Sequence, residues 1–211
     1  MRATRVSPAA FVAIVALAIS STPSSAAVVW DESLNGDLSN AQGTPTALIL
    51  EEGINTLAGK VSSPSDSQDF VSLFVPAGQF LSSIILTVYT SADGKAFTGV
   101  QAGSSFVGSP FSASSYAGYA HFGSGATNGA VVGADVLAIM ADPALAVGAT
   151  GLSIPLGTGV YTFLIQQTGT SLTSYQFDYE VVPEPSTCML TAAGIAVIAW
   201  WRRRSNGDMP S

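Results

Sequence analysis

The chain has 211 residues, only 10% of them charged, and a mean hydropathy of +0.41, unusually apolar for one soluble domain. Five of its seven basic residues lie near the termini, at Arg2, Arg5, Arg202, Arg203 and Arg204. Between residues 27 and 182 only Lys60 and Lys95 stand against twelve acids, a formal charge of −10, so that segment cannot neutralise phosphate and nucleic-acid binding is excluded.

The chain opens MRATRVSPAAFVAIVALAISSTPSSAA. Two arginines, an apolar stretch from Ala9 to Ile19 and a polar segment ending in small residues make a secretory signal helix, with Ser24 and Ala26 at the small-x-small site and cleavage by signal peptidase after Ala26. The apolar stretch is shorter than the ~20 residues a membrane span needs. The single cysteine, Cys188, lies in the C-terminal apolar run, so the exported body folds without an intramolecular disulfide. Trp30 stands just ahead of the folded body and reads as a cap on it.

From Pro45 to Val182, short apolar or alternating runs are separated by Gly, Pro, Ser, Asp and Asn. The pattern predicts strands at 47–50, 54–60, 69–75, 81–90, 96–101, 116–122, 160–168 and 175–182. In the last of these runs every second residue, Tyr175, Phe177, Tyr179 and Val181, is apolar, so the four share one face. Turn signals fall between runs, at Glu52-Gly53, Pro76-Ala77-Gly78, Asp93-Gly94 and Gly157-Thr158-Gly159. Many short strands without long helices predict an all-β, antiparallel sandwich occupying residues 27–182. Residues 53–89, GINTLAGKVSSPSDSQDFVSLFVPAGQFLSSIILTVY, resemble the bacterial pre-peptidase C-terminal (PPC-type) domains: an apolar strand ending in Gly, a loop, an Asp-aromatic strand start, a Pro-Ala-Gly turn and a further apolar strand. That resemblance implies a jelly-roll-like β-sandwich appended to secreted proteins and without catalysis of its own.

Asp66 and Asp69 lie three residues apart in a Ser-rich loop and can supply part of the six to eight oxygens of a calcium shell, the one cofactor the sequence suggests. The competing reading is a structural turn, with Asp69 hydrogen-bonded locally ahead of Phe70. Residues 99–129 are rich in Gly, Ser and Ala and read as long surface loops around one or two weak strands. Within them Tyr116, Tyr119 and Phe122 offer rings for glycan stacking or, alternatively, for the core. His121 is the sole histidine; no G-x-S-x-G elbow accompanies it and no pairing of acids is legible, so no catalytic residue is assigned. Residues 133–146 predict a short helix that stops before Pro143.

Towards its end the chain reads VPEPSTCMLTAAGIAVIAWWRRRSN over residues 182–206. Pro183 and Pro185 keep the segment extended and unable to pair as a central strand, and the 14 apolar residues from Cys188 to Trp201 predict a short transmembrane helix. Arg202, Arg203 and Arg204 form a cytoplasmic stop, and residues 205–211 a cytoplasmic tail. Proline-glutamate-proline at Pro183, Glu184 and Pro185, followed by a hydrophobic helix and an arginine cluster, resembles the PEP-CTERM sorting signal, here residues 183–204. The resemblance implies processing by exosortase, a membrane transpeptidase, after transient anchoring in the inner membrane, with delivery to the cell surface or extracellular matrix of exopolysaccharide-producing bacteria.

These readings together describe an exported, non-enzymatic β-sandwich with a structural or adhesive role in a biofilm matrix. The alternatives are a calcium- or glycan-binding module and, third, a secreted hydrolase.

Overall fold

A computed structural model describes residues 26–126 and 129–184. The expected signal helix, the expected C-terminal hydrophobic helix, Pro185 and Arg202 to Arg204 lie outside the described residues. Among those described, no helix is long and apolar enough to cross a membrane.

Among the described residues, nine strands form two packed sheets. In chain order they are β1 (Ala27–Asp31), β2 (Thr46–Ile49), β3 (Gly53–Val61), β4 (Gln68–Val75), β5 (Gln79–Thr90), β6 (Ala96–Ala102), β7 (Gly118–Phe122), β8 (Gly159–Gln166) and β9 (Thr173–Pro183). The first sheet has the order β1-β3-β9-β5 and the second β2-β4-β8-β6-β7. Two short helices, α1 (Glu32–Asn35) and α2 (Val136–Ala141), and a 3₁₀ turn at Ala113–Ser115 complete the fold. The all-β sandwich expected from the sequence is therefore the observed architecture, and α2 falls inside the predicted helical segment.

Two departures from a purely antiparallel sandwich have one physical origin. β1 joins β3 and β2 joins β4 in parallel register, because each outer strand is separated from its partner by one strand of the other sheet, which brings the chain back to run in the same direction. The remaining ladders are antiparallel. Trp30 is a residue of β1 itself, packed against the core with its indole N–H on Gly36 O at 3.1 Å, and not a cap ahead of the fold. Five residues of strand hard against a signal sequence carry no alternation long enough to announce them.

The main core lies between the sheets. β9 shows how it is built: Tyr175, Phe177, Tyr179 and Val181 are buried, and the residues between them face out. Phe177 meets Phe122 at 5.1 Å and Tyr175 at 5.5 Å between ring centroids, and Phe163 meets Tyr179 across the sandwich at 5.8 Å. Each such side chain contributes about 1.5–3 kcal/mol by leaving water.

The second sheet is apolar on its outer face too. In β4, Asp69, Val71, Leu73 and Val75 turn inward, whereas Phe70 turns outward and is still only 1% exposed. A second cluster of Phe70, Phe106, Tyr116 and Leu164, with Phe97 and Tyr119 at its margin, buries that face beneath the loop of residues 103–117. The loop expected over 99–129 is thus a cover. Tyr116 belongs to it and lies beyond the start of β7, which begins at Gly118 and not at 116. Gly99 makes the cover fit, since a Cβ there would stand 2.4 Å from the Tyr116 ring.

The open edges of β5 and β7 are closed by the segment that leads into α2. Gly133 N and Ala134 O bond Leu86, and Gly123 N and Ala130 O bond each other beside β7. Asp135 caps α2 through Leu137 N at 3.0 Å and accepts Ile84 N of β5 at 3.1 Å with the same oxygen.

Candidate functional site

Three places on this frame concentrate chemistry. The first is the end of the sandwich where α1, the loop after it and the start of β4 meet. Asp69 is two residues into β4, so its side chain points between the sheets and is fully buried. It does not make the local turn hydrogen bond weighed from sequence. The Tyr175 hydroxyl reaches from the opposite sheet and donates to Asp69 Oδ2 at 2.6 Å, while Oδ1 has no hydrogen-bond partner among the described residues. Gly59 permits this, because a Cβ there would stand 2.4 Å from the Tyr175 hydroxyl.

Around Asp69 the other acids gather. Parallel pairing of β1 with β3 stops at Asp31 and Ala58, and the next N–H of β3 finds the Glu32 side chain instead: Lys60 N donates to Oε2 at 2.7 Å. Leu38 N donates to Oε1 at 3.2 Å, which folds the following loop back over the sandwich end. One carboxylate oxygen from each of Glu32, Asp37 and Asp69 lies within 4.8 Å of the others. Asp66 sits in the tight connection closed by Ser62 and Asp66 backbone bonds, and the Asn40 amide reaches its Oδ1 at 3.1 Å. Of the two acids singled out in the sequence, Asp69 is therefore at the centre of the cluster and Asp66 beside it. Glu32 and Asp37, more than thirty residues upstream by sequence, have no spacing signal that joins them to Asp69.

The electrostatics follow from burial of like charges. Burial pushes the Asp69 carboxyl up to about 9; the Tyr175 hydrogen bond pulls the other way, and Glu32, Asp66 and Asp37 add repulsion. Burial also raises Glu32 to about 7, against the two backbone N–H groups it accepts. Asp66 is raised by burial and by Asp37.

The second place is a cavity of about 380 Å³ on the outer face of the second sheet. Phe97, Tyr116, Tyr119 and the exposed Phe111 supply its rings, and Lys95, His121 and Gln166 its polar groups. Phe97 and Tyr119 stack at 5.5 Å and 28°, and the His121 ring stands edge-on to Phe97 at 5.6 Å. Tyr119 is fixed by its hydroxyl donating to Val147 O at 2.9 Å, and Tyr116 by Pro110 O at 2.5 Å. Partial burial and then Lys95 lower the His121 pKa, so the ring is neutral at pH 7. Of the three aromatics weighed as glycan platforms, Phe122 is core, Tyr116 is buried with one face on the cavity, and Tyr119 is half-exposed within it.

The third is the C-terminal end of β9. Pro183 does pair, opposite Gln79 of β5, where β3 has already ended at the level of Val181. Its missing N–H thus falls where the strand has a neighbour on one side only. Glu184 N then donates to Gly78 O at 2.8 Å.

Residues 181–204 match the PEP-CTERM protein-sorting motif, and the chain thereby carries the signal of an exported protein handed to exosortase through a membrane-anchored stage. No curated protein and no solved structure matches the chain.

Proposed function

We propose that the body is a non-catalytic adhesive or structural component of the cell surface or biofilm matrix, released there when exosortase removes the tail. The observation that carries this reading is the junction: the last strand closes at Pro183 and Glu184, within the first residues of the matched motif, so a cut at or beyond Pro185 removes no residue of the core. Intact-mass analysis of the exported protein tests it. A C-terminus near Pro185 is the expected result; a mass that retains Arg204 makes the tail a permanent anchor and overturns the processing step.

The aromatic cavity favours exopolysaccharide as the partner of that body. Stacked rings pair with the apolar faces of sugars, and Lys95, one of only two cations between residues 27 and 182, stands at the rim of a molecule that otherwise repels polyanions. Affinity electrophoresis in the exopolysaccharide of the producing cells should show retardation that Tyr119→Ala weakens at least tenfold. Equal mobility of the two proteins removes the glycan reading while leaving the sorting reading intact. Among the described residues no carboxylate orients His121, and the charged group that acts on it is Lys95, which weighs against the hydrolase alternative.

A further inference from the structure

We propose that Glu32, Asp37 and Asp69 bind a calcium ion at the end of the sandwich, with Asp66 beside it. Three elements distant in the chain converge there: α1, the loop that follows it and β4. A calcium ion holds its oxygens at about 2.3–2.6 Å, so ligands on opposite sides of it stand about 5 Å apart. One oxygen from each of the three carboxylates lies within 4.8 Å of the others, a spacing that one ion can span.

An acidic cluster alone is common on a protein this acidic. What sets this one apart is Asp69, fully buried, reaching the cluster and holding an oxygen that no group among the described residues donates to. An uncompensated buried carboxylate oxygen costs several kcal/mol in general, and a cation removes that cost. No lysine does so here: the ammonium of Lys60 acts on Asp31, while its backbone N–H is what serves Glu32. The donor set is oxygen only, which selects a hard cation over zinc or copper. The ligands are already positioned, Glu32 by two backbone N–H groups, Asp69 by Tyr175, and Asp37 by the buried Leu38 next to it. Exposed Asp37 leaves the outer side of the site open to the waters that calcium retains. The site is independent of the glycan cavity and of tail processing.

The test uses the exported protein purified from cells that express the full chain, stripped with EDTA and then titrated with calcium. Half-saturation is expected at roughly 0.1–1 mM, as in extracellular modules, with the melting temperature raised by roughly 5 °C at tenfold excess. Terbium in place of calcium should luminesce on excitation of Tyr175, whose hydroxyl lies 2.6 Å from Asp69. Glu32 is tied into the fold, so the informative variants are Asp37→Asn, which is expected to weaken binding at least tenfold, and Asp69→Asn, which is expected to abolish both the thermal shift and the luminescence. A melting temperature unmoved by millimolar calcium overturns the proposal. So does a shift that survives undiminished in both variants.

Discussion

Asp69 and Phe70 are consecutive residues of one strand, and they serve opposite faces of one sheet. Asp69 turns into the sandwich, where a tyrosine from the facing sheet and two acids from the N-terminal segment surround it. Phe70 turns outward, where the loop of residues 103–117 covers it and a ring cluster opens into a cavity. The inner environment is enclosed by two sheets and cannot relax; the outer one is roofed by a loop that can lift. That contrast between a rigid and a yielding cover orders the expected consequences of mutation.

The largest effect belongs to the inner face. Phe177→Ala removes a ring that packs on Phe122, Tyr175 and Tyr179, and the sheets cannot close over the space. It should cost about 3–5 kcal/mol in urea unfolding, with the loss spread over the whole transition. Phe106→Ala removes a ring on Phe70 and Tyr116 that the loop alone supplies. It should cost about 2 kcal/mol and express itself mainly as faster hydrogen exchange in residues 103–117. If both substitutions destabilise the protein globally and equally, the loop is as integral as a strand and the contrast fails.

The next effect is electrostatic and belongs to the inner face alone. In chelator, Asp69 folds from an unfolded carboxyl value of about 4 to about 9, so the folded state holds a proton that the unfolded state has released. Stability therefore falls as pH rises through that window, by at most about 1.4 kcal/mol per pH unit, and stops falling above about 9. Glu32, raised to about 7, adds to the same slope. Asp69→Asn keeps the shape without the charge. It should flatten much of the slope and be more stable than the parent at pH 8 in EDTA, by thermal melting. A parent whose stability rises from pH 5 to pH 8 in chelator means that Asp69 is charged throughout.

How far the sequence foretold these two faces differs with the physics of each. The strands from β2 to β9 were legible because alternation and turn residues are local, and Tyr175, Phe177, Tyr179 and Val181 were correctly placed on one face. β1 and α1 were not, since a five-residue strand beside a signal sequence has no pattern of its own and is held by parallel pairing to residues thirty positions away. The spacing of Asp69 from Asp66 is visible in the sequence, yet its burial and its partners Glu32 and Asp37 depend on tertiary convergence that no spacing encodes. Likewise the sequence offers the ring of Tyr119, whereas Phe97 and Lys95 join it only because β6 and β7 are neighbours.

The smallest effects compare the two faces most directly, through a matched pair of glycines. A Cβ on Gly59 would stand 2.4 Å from the hydroxyl of Tyr175, and a Cβ on Gly99 equally 2.4 Å from the ring of Tyr116. The intrusions are the same size, so the difference lies in what each tyrosine can do about it. Tyr175 is locked between the sheets with its hydroxyl on Asp69, and moving it strips that carboxylate of its donor. Tyr116 rides on the cover, and its ring can shift with the 3₁₀ turn that precedes it. Gly59→Ala should cost about 1.5 kcal/mol, within the range of overpacking penalties, and Gly99→Ala less than about 1 kcal/mol. Gly99→Ala should also leave the slope of stability with pH unchanged, whereas Gly59→Ala alters it by disturbing Asp69. Equal costs, or a pH slope indifferent to both alanines, would mean that the interior yields as readily as the loop.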